Sequence, residues 1–246
     1  MRGPSETVSS AARIVLLRHG QTDYNVQARF QGASDFPLNV TGRRQADRAA
    51  AVLAQRLTAR ADSVGLWADG AGSGGVRVVS SPLIRARETA GRVARALLEA
   101  GALVESEAGA EVYVDERLKE RAYGLFEGRT RDDIRHDLPE AFAEWSETGE
   151  SVAAGIEDSV VVGRRVAEAL LDHAHQATAG QTVVAVAHGS AITRGLLTVL
   201  GLDPATFQGM RGLDNCHWSE LVPDQRHGMW RLAAHNLGAT EDRIGA

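Results

Sequence analysis

Two apolar runs in this chain end in the same pair of residues. Leu16-Leu17-Arg18 leads into His19-Gly20, and Val186-Ala187 leads into His188-Gly189. A third run ends in Ser80-Ser81-Pro82-Leu83 and continues to Arg85. A neutral imidazole is a nucleophile near pH 7. Attack on phosphorus gives a phosphoramidate that water or another acceptor can cleave. The attacking nitrogen keeps its lone pair when the other ring nitrogen is held by a hydrogen bond, and a backbone carbonyl in the tight Gly20 turn could supply one. Arginine suits the transferred group because its planar fork meets two oxygens at once. Phosphoryl transfer depends on positioning and on stabilising equatorial oxygens, so Arg18, His19, Arg85 and His188 around one phosphate would suffice without a metal. Each residue alone has an ordinary reading: a structural His-Gly turn, a strand-end ion pair for Arg18, a solvated helix position for Arg85. Recurrence at two strand ends, joined by Arg85, weighs against coincidence.

For these residues to meet, their strands must end on one rim. Ligands of open parallel α/β sheets bind outside the carboxyl ends of the strands. Residues 14–17, 76–79 and 182–187 read as buried parallel strands. Residues 41–60 read as a helix with Thr41 as its N-cap. Residues 83–100 and 151–174 read as two more; in the latter Ile156, Val160, Ala167, Leu170 and Leu171 fall mostly on one face. This alternation predicts an α/β fold, a three-layer α/β/α sandwich around a mostly parallel sheet. Residues 111–114, 216–222 and 229–234 could add strands, the last two as an antiparallel hairpin at a sheet edge. Residues 61–75 read as a long loop, and Gly72 to Gly75 lack the Gly-Lys-Ser/Thr ending of a phosphate loop. Residues 121–150 are polar, partly helical, and read as an excursion over the sheet. No internal repeat is apparent.

Composition narrows the class. A chain of 246 residues, 43% hydrophobic and 24% charged, buries enough surface to need no disulfide or metal. Its single cysteine, Cys216, forms no internal bridge and is compatible with a reducing cytoplasm. A net charge of −5 argues against a general nucleic-acid binder, and no apolar run is long enough for a bilayer. The first dozen residues lack the apolar core of a signal peptide. The expected organisation is a flexible tail over 1–11, one domain over 12–238 with 121–150 inserted over the active site, and a tail over 239–246. His173-Ala174-His175 places two histidines too close for neighbouring helix faces; a metal-hydrolase reading is weak, and both read as solvated residues near a helix end.

Taken together the motifs resemble the histidine phosphatase superfamily, which includes the cofactor-dependent phosphoglycerate mutases. Leu17-Arg18-His19-Gly20-Gln21-Thr22 resembles its signature, with Gln21 where Glu is commoner. The resemblance continues through Asn25, Arg29-Phe30-Gln31-Gly32, Asp35, Pro37-Leu38, Gly42 and Gln45-Ala46. It includes Ser80 to Leu83, Arg85-Ala86 and Thr89-Ala90, then Leu118, Glu120, Gly124, Glu127-Gly128 and Ala187-His188-Gly189. It implies a phosphoglycerate mutase-like fold with a small helical insertion.

The resemblance also implies roles. His19 would carry the phosphoryl group, and Arg18, Arg85, His188 and Asn25 would hold its oxygens. Glu120 matches the proton donor to the leaving oxygen, an alkoxide being a poor leaving group unless protonated. Without the family, Glu120 between Lys119 and Arg121 reads as a solvated salt-bridge residue; Glu127 falls in the later, structural Glu-Gly. Arg29, Phe30, Gln31, Gly32, Arg121 and Tyr123 would line the substrate site, with Arg121 able to grip a carboxylate. No cofactor is implied. The partner is a small-molecule phosphate ester in the cytoplasm, with no nucleic acid and no membrane; a homodimer stays open.

Mutases carry a longer excursion after the donor, with adjacent arginines that clamp the glycerate. Here Arg129, Arg131 and Arg135 form no adjacent pair, and the short route through Asp132-Asp133-Ile134 resembles the broad phosphatase branch. The alternatives are a mutase using the same phosphohistidine, or a silent phospholigand-binding protein, although neither nucleophile nor arginine is lost. Leu17 to Val26 and the tail with Gly209, Asn215, Trp218, Trp230-Arg231-Leu232 and Asn236 resemble actinobacterial glucosyl-3-phosphoglycerate phosphatases; residues 61–75 and the Arg121 region depart from them. The Ala-, Arg- and Gly-rich composition fits a high-GC bacterium.

Overall fold

The apolar runs become six strands: β1 (Arg13–Arg18), β2 (Val76–Ser80), β3 (Val112–Val114), β4 (Thr182–Ala187), β5 (Trp218–Asp224) and β6 (Met229–Leu237). The computed structural model describes residues 11–58, 75–103, 111–224 and 226–239. The sheet order is β3-β2-β4-β1-β5-β6. β3, β2, β4 and β1 pair in parallel, while β5 pairs antiparallel with β1 and with β6. The mostly parallel sheet and the edge hairpin agree with the sequence reading, and β6 extends three residues past the expected end at 234.

Among the described residues seven helices accompany it: α1 (Asp23–Val26), α2 (Val40–Thr58), α3 (Ile84–Glu99), α4 (Arg131–Asp137), α5 (Pro139–Thr148), α6 (Ser159–Gln176) and α7 (Gly189–Val199). Side chains alternate across a strand, so Val15 and Leu17 pack under α2 and α3 while Ile14 and Leu16 face α6 and α7. That gives three layers. Phe126, Ile134, Ala141, Ala154 and Ile156 form a separate small core under α4 and α5. Among the described residues no helix is long and apolar enough to cross a membrane.

The structure corrects two helix boundaries. Thr41 is not the N-cap of α2: the Gly42 amide donates to Asn39 Oδ1 at 2.8 Å, so Asn39 caps the helix. Residues 151–158 are not helical. Gly155 takes a left-handed φ of +68°, and Asp158 caps α6 by accepting from the Val160 and Val161 amides. Ile156 therefore joins the insertion core and Val160 is exposed. The predicted loop over 61–75, with its glycine run, lies outside the described residues except for Gly75.

Candidate active site

Register brings the strand ends level. Arg18 pairs with Ala187 and Ser80 with Val186, so the next residues, His19, His188 and Ser81, emerge side by side. The turn after β1 is fixed by backbone contact. A Cβ on Gly20 would strike the Gly42 carbonyl, and one on Gly42 would strike the Gln21 backbone; only glycine at both positions lets the start of α2 approach this closely. Thr89 on α3 tightens the joint, its Oγ1 accepting from the Gly20 amide at 3.2 Å and donating to the Arg85 carbonyl at 2.8 Å.

His19 is 2% exposed. Its Nδ1 donates to the Gly20 carbonyl at 2.7 Å, leaving the lone pair on Nε2. Burial, then the positive charges of Arg85 and Arg18, hold its pKa well below 6.5, so the ring is neutral at physiological pH. His188 lies beside it, with ring centroids 5.2 Å apart, and burial with Arg85 depresses its pKa in the same way. Ser81 Oγ already accepts from the Leu83 amide at 3.3 Å and sits 2.7 Å from His188 Nε2. With the Ser81 hydroxyl as donor to Nε2, the imidazole proton sits on Nδ1.

Arg85 is fully buried and donates to the carbonyls of Ser34 (2.7 Å) and Gly32 (2.8 Å). Arg18 donates to the Leu213 carbonyl at 2.5 Å. Among the described residues neither guanidinium has a carboxylate bonded to it. Arg18 Nε, Arg85 Nε and His188 Nδ1 are buried with no hydrogen-bond partner among the described residues. Buried donors in native proteins are satisfied, and these three suit the oxygens of a tetrahedral anion.

Glu120 touches neither sequence neighbour's charge: Lys119 pairs with Glu116 and Arg121 with Glu150. The carboxylate instead accepts from the amides of Arg121 (2.8 Å), Ala191 (2.9 Å) and Ser190 (3.2 Å). That places it against the N-terminus of α7, beside His188. A carboxylate offers about four acceptor sites; three are taken, so one remains for a proton. Arg165 braces this segment, donating to the Lys119 carbonyl at 2.7 Å and the Glu120 carbonyl at 3.2 Å while its fork grips Glu157.

The other candidates divide. Asn25 lies on the rim with its Oδ1 in the α1 capping box and 3.3 Å from Asn215 Nδ2, which also donates to the His19 carbonyl at 3.0 Å. Its amide nitrogen is what it can offer a ligand. Gln31 is buried and accepts from Thr22 Oγ1 at 3.0 Å, and Gly32 presents its carbonyl to Arg85. Tyr123 is half-buried and hydrogen-bonds Ser190, with its phenol pKa raised by burial and by Glu120. Phe30 points into the insertion core, 4.9 Å from the Tyr123 ring and 5.3 Å from Trp145. Arg29 reaches the Gly128 carbonyl at 2.6 Å and Asp133 at 3.4 Å. Both are hinges between the β1 loop and the insertion rather than free lining groups.

Arg121 is corrected as a carboxylate clamp. It is 1% exposed, and its three nitrogens are spent on the Glu157 carbonyl, the Gly149 carbonyl and the Glu150 carboxylate. Glu127 likewise ties loops together, accepting from the amides of Ala33 (3.1 Å) and Tyr123 (3.0 Å) and from Ser34 Oγ (2.9 Å). His173 is not solvated: it is 9% exposed, 3.1 Å from Asp115 and 3.4 Å from Arg77 Nε, while His175 is exposed. Among the described residues no His, Cys, Asp and Glu side chains group as metal ligands. Sequence reasoning gave Arg165, Glu157 and Leu213 no place at the site; the contacts that tie them to Arg18, Glu120 and Ala122 span dozens of residues and leave no local signal.

A sequence profile of the histidine phosphatase superfamily (branch 1) matches residues 14–237. A glucosyl-3-phosphoglycerate phosphatase of Mycobacterium tuberculosis is 33% identical over 93% of this chain and 96% of its own length. A probable phosphoglycerate mutase, GpmB, of Salmonella paratyphi A is 29% identical over 89% of this chain and 87% of its own. Among solved structures, a mycobacterial glucosyl-3-phosphoglycerate phosphatase in complex with VO3 superposes with a TM-score of 0.71 at 31% identity, covering 92% of this chain and all of that one.

Proposed function

The chain belongs to the histidine phosphatase superfamily, branch 1, and is a phosphatase enzyme; on that premise we propose that it hydrolyses small phosphomonoesters through a covalent phosphohistidine on His19, without a metal. The observation that carries this reading is the pairing of a neutral His19, its lone pair on Nε2, with three unpartnered buried donors on Arg18, Arg85 and His188. In the first transfer Nε2 attacks phosphorus, the ester P–O bond breaks, and protonated Glu120 gives its proton to the leaving oxygen. In the second, water attacks phosphorus, Glu120 takes a water proton, and the P–N bond breaks to release phosphate and neutral His19. The arginine forks and His188 Nδ1 neutralise the equatorial oxygens in both steps.

The substrates to expect are phosphate esters of the kind named for the mycobacterial relatives, glucosyl-3-phosphoglycerate first among them. The lone buried Cys216 fits a reducing compartment, and we place the enzyme in the cytoplasm.

The test is phosphate release from an aryl phosphate, 3-phosphoglycerate and glucosyl-3-phosphoglycerate, with chelator present. 2-Phosphoglycerate formation is followed in parallel with bisphosphoglycerate added. Release that vanishes in His19→Ala supports the reading; isomerisation with little release replaces it with a mutase. Glu120→Gln should slow alkyl phosphates far more than aryl phosphates, whose leaving groups need little protonation.

A further inference from the structure

With Arg121 committed to the fold, another cation must hold any second anion of the substrate. Between the insertion and α7 lies a groove of about 380 Å³ lined by Arg131, Phe142, Trp145, Gly149, Arg194 and Gln208, among others. Among the described residues two of its arginines have no carboxylate within ion-pair distance. Arg131 lies 5.4 Å over the Trp145 ring and makes no ion pair among the described residues. Arg194 is anchored through Nε to Ser159 Oγ at 3.0 Å, which leaves its Nη groups free to donate. Glu150, whose charge acts on Arg194, is bonded by Arg121 through Oε2, while its Oε1 is buried with no hydrogen-bond partner among the described residues. The charges opposing an anion here are Glu150 and, at the groove wall, Glu147, while Asp132 is taken by Arg135 at 2.6 Å.

The groove adjoins the catalytic pocket. Arg194 is one helical turn after Ser190 on the same face of α7, and Ser190 bonds both Tyr123 and Glu120. The wall beside the guanidinium is bare backbone: Gly149 ends α5 at φ +76°, and even a Cβ there would come within 3.7 Å of Arg194 Nη2. A half-buried guanidinium with free donors, one turn from the pocket, is the group best placed to receive a planar anion.

We propose that Arg194 determines substrate class by binding a carboxylate, so that the preferred esters carry a second anion, as phosphoglycerate esters do. This rests on the phosphatase reading, with the phosphoryl group on His19. The test compares 3-phosphoglycerate with glycerol 3-phosphate, which differ by carboxylate against hydroxymethyl. In Arg194→Gln the ratio of their kcat/KM values should fall on the order of 30-fold, chiefly through KM of the carboxylate ester. An unchanged ratio overturns the assignment. Should Arg194→Gln not fold, Arg194→Lys keeps the charge and loses the fork, and a ratio lowered roughly fivefold is expected; no change again overturns it. If wild-type protein turned over no ester, the phosphatase reading would fail separately. Calorimetric affinities of His19→Ala protein for the same two compounds, with and without Arg194→Gln, would then decide the subsite by the same ratio.

Discussion

Arginine does two different jobs on either side of Glu120. On the rim, Arg18 and Arg85 are held by backbone carbonyls of Leu213, Ser34 and Gly32. A carbonyl orients a guanidinium without cancelling its charge. Behind the rim, Arg121 and Arg165 are held by the carboxylates of Glu150 and Glu157, and their charge is consumed in holding the insertion and the Glu120 segment in place. Both kinds are buried or half-buried, so exposure does not distinguish them; the chemistry of the partner does. A cation oriented by dipoles is kept for a ligand, and one oriented by a carboxylate is a strut.

Arg85→Lys is the strongest attempt to break this distinction. It keeps the charge but loses the fork, and kcat/KM for an aryl phosphate should fall by roughly 10³. Arg121→Met should do the opposite. Urea unfolding should show a loss of about 3 kcal/mol, because a buried ion pair loses one member, while the folded fraction keeps far more activity than Arg85→Lys. If Arg121→Met were the more damaging to turnover, the strut reading would fall.

Acid should separate the two regions by pH. His19 and His188 have folded pKa values well below 6.5 because burial, then neighbouring positive charge, opposes protonation. The unfolded chain therefore takes up those protons first, so stability is full above about pH 6.5 and declines below it. For Glu157, burial pushes the pKa up, but bonds from Arg165 and the Ala122 amide bring the net value below 4.5. Its contribution is present above 4.5 and is lost only as pH falls through the lower folded value. Urea midpoints at pH 7.5, 5.5 and 4 should show the rim weakening first, and His188→Asn should flatten only the earlier decline. The smallest effect is expected at Arg135→Ala, whose exposed pair with Asp132 should be worth less than about 0.5 kcal/mol; thermal unfolding would check it.

Much of the fold, and the meeting of the candidate residues, was legible in the sequence because those residues sit at strand ends. Continuous apolar runs fixed β1, β2 and β4, and the residue after each run had to emerge at the rim. Boundaries governed by caps were harder. Thr41 and Asn39 are both competent N-caps, and only the Gly20–Gly42 approach decides where α2 begins. The start of α6 was hidden because residues 151–158 carry apolar side chains that serve the insertion core instead. Arg121 was misjudged for a related reason: its partners lie 28 to 36 residues further along, and no local spacing reveals that they are waiting for it. Arg194 carries no motif at all; it matters because of what Arg121 has already taken.

The sheet order has a consequence for how the enzyme is made. β1, the strand that delivers Arg18 and His19, leaves the ribosome well over a hundred residues before either of its neighbours, β4 and β5. The segment that supplies the Leu213 carbonyl and Asn215 is also late. At typical synthesis rates β1 has no partner strand for roughly 8 to 33 s. A nascent chain thus holds Arg18 and His19 without their sheet neighbours until β4 and β5 have been made, and a ribosome stalled before residue 213 would carry a chain whose His19 has been synthesised but not yet set in its site.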